Sequence, residues 1–183
     1  WPKQGGKTLF LNAFPCPELS QIGGEAVLQS FSFRRTKALE KSGFSCEPAP
    51  EGAFDSVLLA APRQMEELRA ALAEGLERLR AGGLFLCAAP KNAGGQRLAG
   101  LLKEAGLAPL VVSESHAKIV FAHKERAVHT EIIAAWRTTG ARQKAPTDYV
   151  SQPGLFAWDR IDAGSALLSA HLPPTLSGKG VDF

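Results

Sequence analysis

The sequence is poor in residues that staple a chain or ligate a metal. Its three cysteines, Cys16, Cys46 and Cys87, are an odd number with no C-x-x-C spacing. That excludes a disulfide framework and a zinc set, and leaves them as small core residues in a reducing compartment. The four histidines, His116, His123, His129 and His171, are not spaced with cysteines or carboxylates as metal ligands would be, so no metal site is expected. No apolar run approaches the roughly 20 residues that cross a bilayer, and no charged-then-apolar leader opens the chain. A soluble cytoplasmic protein with no membrane partner is therefore expected. Charge of neither sign dominates: a net +3 permits a nucleic-acid partner without requiring one. Methionine is nearly absent too. Met65 is the only one, and the chain opens on Trp1. At the other end, SGKGVDF reads as a turn followed by the opening of a strand, which would have little to hold it at a free terminus. The expectation is an internal piece of a longer polypeptide.

What is present is ordinary globular material, 45% hydrophobic and 21% charged, enough for one well-cored domain with some chain left over. Residues 8–13 form a short apolar run stopped by Pro15 and Pro17, the form of a buried strand. Residues 25–31 alternate loosely as a second strand, and residues 34–41 make a short helix closed by Gly43. Residues 54–62 are a third strand with a proline stop. Between residues 64 and 81, Met65, Leu68, Leu72, Leu76 and Leu79 recur at steps of three and four, with Glu66 and Glu67 early and Arg78 and Arg80 late. This predicts an amphipathic helix ended by Gly82-Gly83. The apolar run 84–89 that follows predicts a strand in a sheet covered on both faces. A helix over 96–105, strands over 109–113 and 117–123, and a helix over 128–136 complete the pattern, with 138–152 as a linker. Strands alternating with helices, then two strands with no helix between them, predict an α/β fold: a Rossmann-like, mostly parallel sheet with an antiparallel edge hairpin.

Such a sheet holds nucleotide-type cofactors by a glycine-rich turn after its first strand and an acid after its second. Here the first strand runs into Asn12-Ala13-Phe14-Pro15-Cys16-Pro17, without glycine and with two prolines that lack N–H donors. After the second come Ser32-Phe33-Arg34-Arg35, without a carboxylate. The architecture reads as nucleotide-binding with its binding site missing. A dinucleotide-dependent oxidoreductase fits poorly for the same reason.

Residues 54–90, FDSVLLAAP through LRAGGLFLCAAP, resemble the fourth strand, following helix and fifth strand of class I S-adenosylmethionine-dependent methyltransferases. Members that modify nucleobases end the fourth strand in Asn-Pro-Pro-aromatic, whereas this chain has Ala60-Ala61-Pro62-Arg63. The stretch QPGLFAWDRIDAGSALLSAHLPPTLSGKGVDF is similar to the segment joining the two domains of the ribosomal RNA small-subunit methyltransferase C family, and KNAGGQRL at 91–98 to a loop of that family's first domain. Pro153, Gly154, Phe156, Asp159, Asp162, Gly164, Ser165, Leu167, Leu168, Gly178, Lys179 and Asp182 match; Ala157 stands where serine is usual.

The resemblance implies two methyltransferase-like domains, the first without cofactor and the second methylating a guanine amine in small-subunit ribosomal RNA. Residues 1–126 would then be the degenerate domain, 127–152 a helix and linker, and 153–183 the lead-in and first strand of a truncated catalytic domain. It implies that Phe156, Asp162, Gly164, Ser165 and Asp182 serve the S-adenosylmethionine cleft of the full-length parent, while this piece holds no cofactor and no catalytic residue. Read as residues alone, Asp162 is a helix N-cap and Phe156 a packing residue. Partners implied are ribosomal RNA or the small ribosomal subunit, and the protein's own carboxy-terminal domain. Two basic clusters are the candidate RNA surface: Arg34, Arg35 and Lys37, and Lys118, Lys124, Arg126, Arg137, Arg142 and Lys144. The rival reading is a stand-alone Rossmann-like binding or scaffold domain without enzymatic activity.

Overall fold

The computed structural model describes residues 6–144, 149–173, 175 and 177–179. It divides into two units, Trp1–Ala141 and Arg142–Phe183.

The first unit is a six-stranded sheet with strands β1 (Lys7–Leu11), β2 (Glu25–Leu28), β3 (Phe54–Ala60), β4 (Leu79–Pro90), β5 (Leu110–Glu114) and β6 (Ala117–His123), in the order β2-β1-β3-β4-β6-β5. Strands β2, β1, β3 and β4 are parallel; β6 runs antiparallel to both β4 and β5. The expected edge hairpin is therefore present. Its two-residue turn puts Ser115 and His116 at φ 44° and 63°, the left-handed pair that matches strand twist. Beyond β2, a single parallel bridge joins Leu28 to Cys46, and Pro48 and Pro50 then stop further pairing. The strand that resembles a family fourth strand is for this reason the third here.

Helix α2 (Met65–Arg78) packs Leu68, Leu72, Ala73 and Leu76 onto Leu9, Leu11, Val57, Phe85 and Cys87 of the sheet. Gly75 permits this approach, because a Cβ there would lie 2.7 Å from Phe85 Cε2 and 3.0 Å from Val57 Cγ1. Helices α3 (Leu98–Glu104) and α4 (Thr130–Thr139) join the same core through Leu98, Leu101, Leu102, Ile133 and Trp136. The opposite face carries a smaller cluster in which Leu39 of α1 (Phe33–Lys41) meets Phe10, Ala13, Leu19 and Leu28.

Three expectations are corrected. Helix α2 ends at Arg78, not at Gly82-Gly83. Leu79 turns extended and pairs with Phe54, Asp55 holds Arg80 at 2.8 Å, and the Lys124 ammonium takes the carbonyls of Leu76 and Leu79 at 2.6 and 2.7 Å. The run 84–89 is not covered on both faces. Phe85, Cys87 and Ala89 are buried against the helices, while Leu84, Leu86 and Ala88 are only partly buried, as are Ile119 and Phe121 beside them. Finally, the stretch read as linker includes a small antiparallel pair, β7 (Gln143–Lys144) with β8 (Val150–Ser151).

The second unit contains that pair and helix α5 (Ala163–His171), which buries none of its residues. Among the described residues no helix is long and apolar enough to cross a membrane, and no His/Cys/Asp/Glu group could hold a metal ion.

Candidate functional site at the carboxyl edge of the sheet

Parallel sheets of this kind present ligands at the carboxyl ends of their strands. Here the ends of β1, β3 and β4 surround a cleft of about 430 Å³ lined mainly by apolar side chains, among them Phe10, Phe14, Leu58, Ala60 and Leu86. Phe14 stands edge-on to Phe10 with ring centroids 5.8 Å apart. The polar lining is Asn12 and Arg35.

The exit from β1 is tied to its neighbours. Asn12, at φ 54°, donates from Nδ2 to the Ala60 carbonyl at 2.7 Å and accepts from Arg35 Nη1 at 2.8 Å. The Ala13 amide donates to the Gln29 carbonyl, and the Gln29 amide to the Phe10 carbonyl. Pro15 and Pro17 carry no N–H, and a short 3-10 turn, Pro17–Gln21, follows without a side-chain cap. At the end of β2, where an acid would meet a ribose, Gln29 is buried and directs its amide to Glu74 Oε1 and the Pro48 carbonyl. Burial pushes the Glu67 carboxyl up, and the Arg35 guanidinium pulls it the other way.

The first basic cluster lies on α1 beside this cleft, where Ser32 caps the helix by accepting from the Arg35 amide. Arg34, Arg35 and Lys37 are exposed; Lys37 pairs with Glu40 at 2.7 Å. The second cluster is drawn from β6, the segment after it, α4 and the second unit. Lys118 on β6 donates to Ser113 Oγ across the hairpin, Arg126 lies exposed after β6, and Arg137 on α4 pairs with Glu77. Lys124, expected on the RNA surface, is instead the C-terminal cap of α2; its burial lowers the ammonium pKa, with Glu77 opposing. Arg142 and Lys144 are exposed residues of the second unit.

Of the residues expected at a cofactor cleft, Asp162 is the N-cap of α5, accepting from the amides of Gly164 at 3.0 Å and Ser165 at 3.2 Å. Phe156 is 84% exposed. Asp182 lies outside the described residues. Sequence reasoning missed Phe14, Phe31 and Phe33 as surface groups. All three are exposed; Phe31 falls in the run 25–31 read as a strand, whereas β2 ends at Leu28.

No family model matches the chain. Curated relatives do. It is 29% identical to the ribosomal RNA small subunit methyltransferase C of Stutzerimonas stutzeri, over 98% of this chain and 55% of that protein. It is 31% identical to the enzyme of the same name from Pseudomonas putida, over 88% of this chain and 47% of that one. The chain thus spans about half the length of the curated relatives it matches. Among solved structures, a T. thermophilus 16S rRNA methyltransferase in complex with AdoMet and guanosine superposes with a TM-score of 0.71. That match has 21% identity and covers 92% of this chain and 48% of that one, a likeness of fold. The strand order and the edge hairpin agree with that fold, and over nearly its whole length the chain is similar to about half of the proteins named ribosomal RNA small subunit methyltransferase C.

Proposed function

We propose that this chain is the non-catalytic amino-terminal part of an S-adenosylmethionine-dependent methyltransferase acting on guanine in small-subunit ribosomal RNA. Its role is to brace the catalytic domain and add RNA-binding surface. The observation that carries this reading is the exit of β1. A cofactor with an adenosyl group and ribose hydroxyls needs free main-chain donors there and a carboxylate after β2. The Ala13 amide is already engaged by Gln29, two prolines remove further donors, and Gln29 stands buried near the position of the acid. These residues do not fit S-adenosylmethionine. The end of β3, Ala60-Ala61-Pro62-Arg63, likewise offers no side-chain carbonyl to a target amine.

In this reading methyl transfer belongs to a second domain, for which residues 153–183 form the lead-in and Phe156, Asp162, Gly164, Ser165 and Asp182 serve the cleft. RNA would be met by Arg34, Arg35, Lys37, Lys118, Arg126 and Arg137 of the first unit and by Arg142 and Lys144 of the second, in a cytoplasmic setting. An assay with labelled S-adenosylmethionine and small ribosomal subunits separates the two halves. The 183-residue chain should transfer no methyl, and the chain extended through its second domain should do so. Transfer by the short chain would refute the assignment. A stop codon directly after Phe183 would favour the stand-alone scaffold.

A further inference from the structure

Two phenylalanines next to the cleft have no place in the core. Phe31, in the segment joining β2 to α1, and Phe33, the first residue of α1, are each 76% exposed, and Phe14 on the cleft lining is 41% exposed. Exposing large rings is unfavourable by the hydrophobic effect, and a cluster of them marks a contact surface more often than chance scatter does. Their position is fixed. The hydrogen bonds of Gln29 to Phe10 and Ala13 hold the segment against the end of β1, and Arg35 reaches from the first turn of α1 to Asn12.

Charge says what these rings are offered to. Phe31 and Phe33 bracket the helix cap Ser32 and are followed at once by Arg34 and Arg35, with Lys37 a turn later and its ammonium 5.9 Å from the Phe33 ring. Aromatic faces interleaved with guanidinium and ammonium groups suit a polymer of planar bases and phosphates: bases stack on rings while cations follow the backbone. A duplex would not reach them, because its bases already stack on one another. Beside the rings, the apolar cleft with Asn12 and Arg35 at its rim has the character of a base pocket, flat apolar walls with edge-directed polar groups. Arg35 spends one of its five N–H donors on Asn12, leaving others for acceptors on a base edge.

We infer that Phe14, Phe31 and Phe33, with Arg34, Arg35 and Lys37, form a stacking platform for unpaired bases of single-stranded RNA, reusing the strand ends where relatives of this fold hold small ligands. This rests on the reading above only in taking RNA as the partner, and it names the form of RNA and the residues that grip it.

The test is fluorescence anisotropy of the 183-residue chain with a labelled ten-nucleotide single-stranded RNA, and with the same sequence as a duplex, across a salt series. The expected result is preference for the single strand. Phe31→Ala with Phe33→Ala should weaken binding about tenfold or more through lost stacking, with the salt slope unchanged. Arg34→Gln with Lys37→Gln should weaken binding and flatten the slope. Both phenylalanines are surface residues, so their replacement leaves the core intact, and the circular dichroism spectrum checks this. Equal affinity for duplex, or normal binding by the double phenylalanine variant, overturns the platform while the wider RNA-surface reading stands. No RNA binding by the unaltered chain overturns both. Self-association abolished by the same phenylalanine substitutions, with RNA binding unchanged, would assign the rings to a second copy of the chain and overturn the inference.

Discussion

Arg35 and Asn12 meet at the end of the first strand, Nη1 donating to Oδ1 at 2.8 Å, while Asn12 turns its own Nδ2 to the Ala60 carbonyl at 2.7 Å. One side chain thereby joins β1, β3 and the start of α1. It does so from a left-handed backbone, φ 54°, which asparagine tolerates better than most residues. Alanine at position 12 would lose both bonds and keep the strain, costing about 2–3 kcal/mol; glycine would lose the bonds and relieve the strain. Urea unfolding should therefore rank Asn12→Gly above Asn12→Ala. The reverse order would mean that the backbone conformation contributes nothing.

Gly75 sits in the middle of α2, where alanine is ordinarily favoured by about 1 kcal/mol. Here the added Cβ would lie 2.7 Å from a buried aromatic carbon of Phe85, and overpacking costs about 1–3 kcal/mol. The collision wins. Gly75→Ala is expected to lower the thermal midpoint by several degrees, measured by calorimetry.

Cys87 is fully buried in the sheet, and desolvation pushes its thiol up to about 12 from 9.0. In the unfolded chain it ionises near the ordinary value. Between the two the unfolded state holds fewer protons, so this contribution to stability is whole below 9 and is lost as pH rises towards 12. Cys87→Ala should consequently lose less stability than the parent between neutral pH and about pH 10.5, read as the shift in urea midpoint. Native thiol labelling should reach the half-buried Cys16 and Cys46 but not Cys87.

Asp162 caps α5 through two amides, and that helix buries no residue. Its stability is consequently local. Asp162→Ala should cost the helix about 1 kcal/mol and speed hydrogen exchange at Gly164 and Ser165, with the midpoint of the first unit unchanged.

The strand and helix order was legible because Leu68, Leu72 and Leu76 keep a strict helical step, the strand run 54–62 stops at Pro62 and the helix over 96–105 stops at Gly106. The end of α2 was not, because it depends on Lys124, 46 positions beyond Arg78, reaching back to two carbonyls. Nor was the half-open sheet face, since Leu86 and Phe85 look alike in sequence although only Phe85 faces a helix. The missing glycine turn could be read directly, as an absence along the chain. What replaces it could not: the Asn12–Arg35 contact joins residues on separate elements, and the exposure of Phe31 and Phe33 follows from where β2 stops pairing.

The most direct test of the account is isothermal calorimetry of the 183-residue chain with S-adenosylmethionine. With the Ala13 amide bonded to Gln29 and prolines at 15 and 17, no saturable heat is predicted up to millimolar ligand. Micromolar binding, lost on substitution at Asn12 or Arg35, would contradict it.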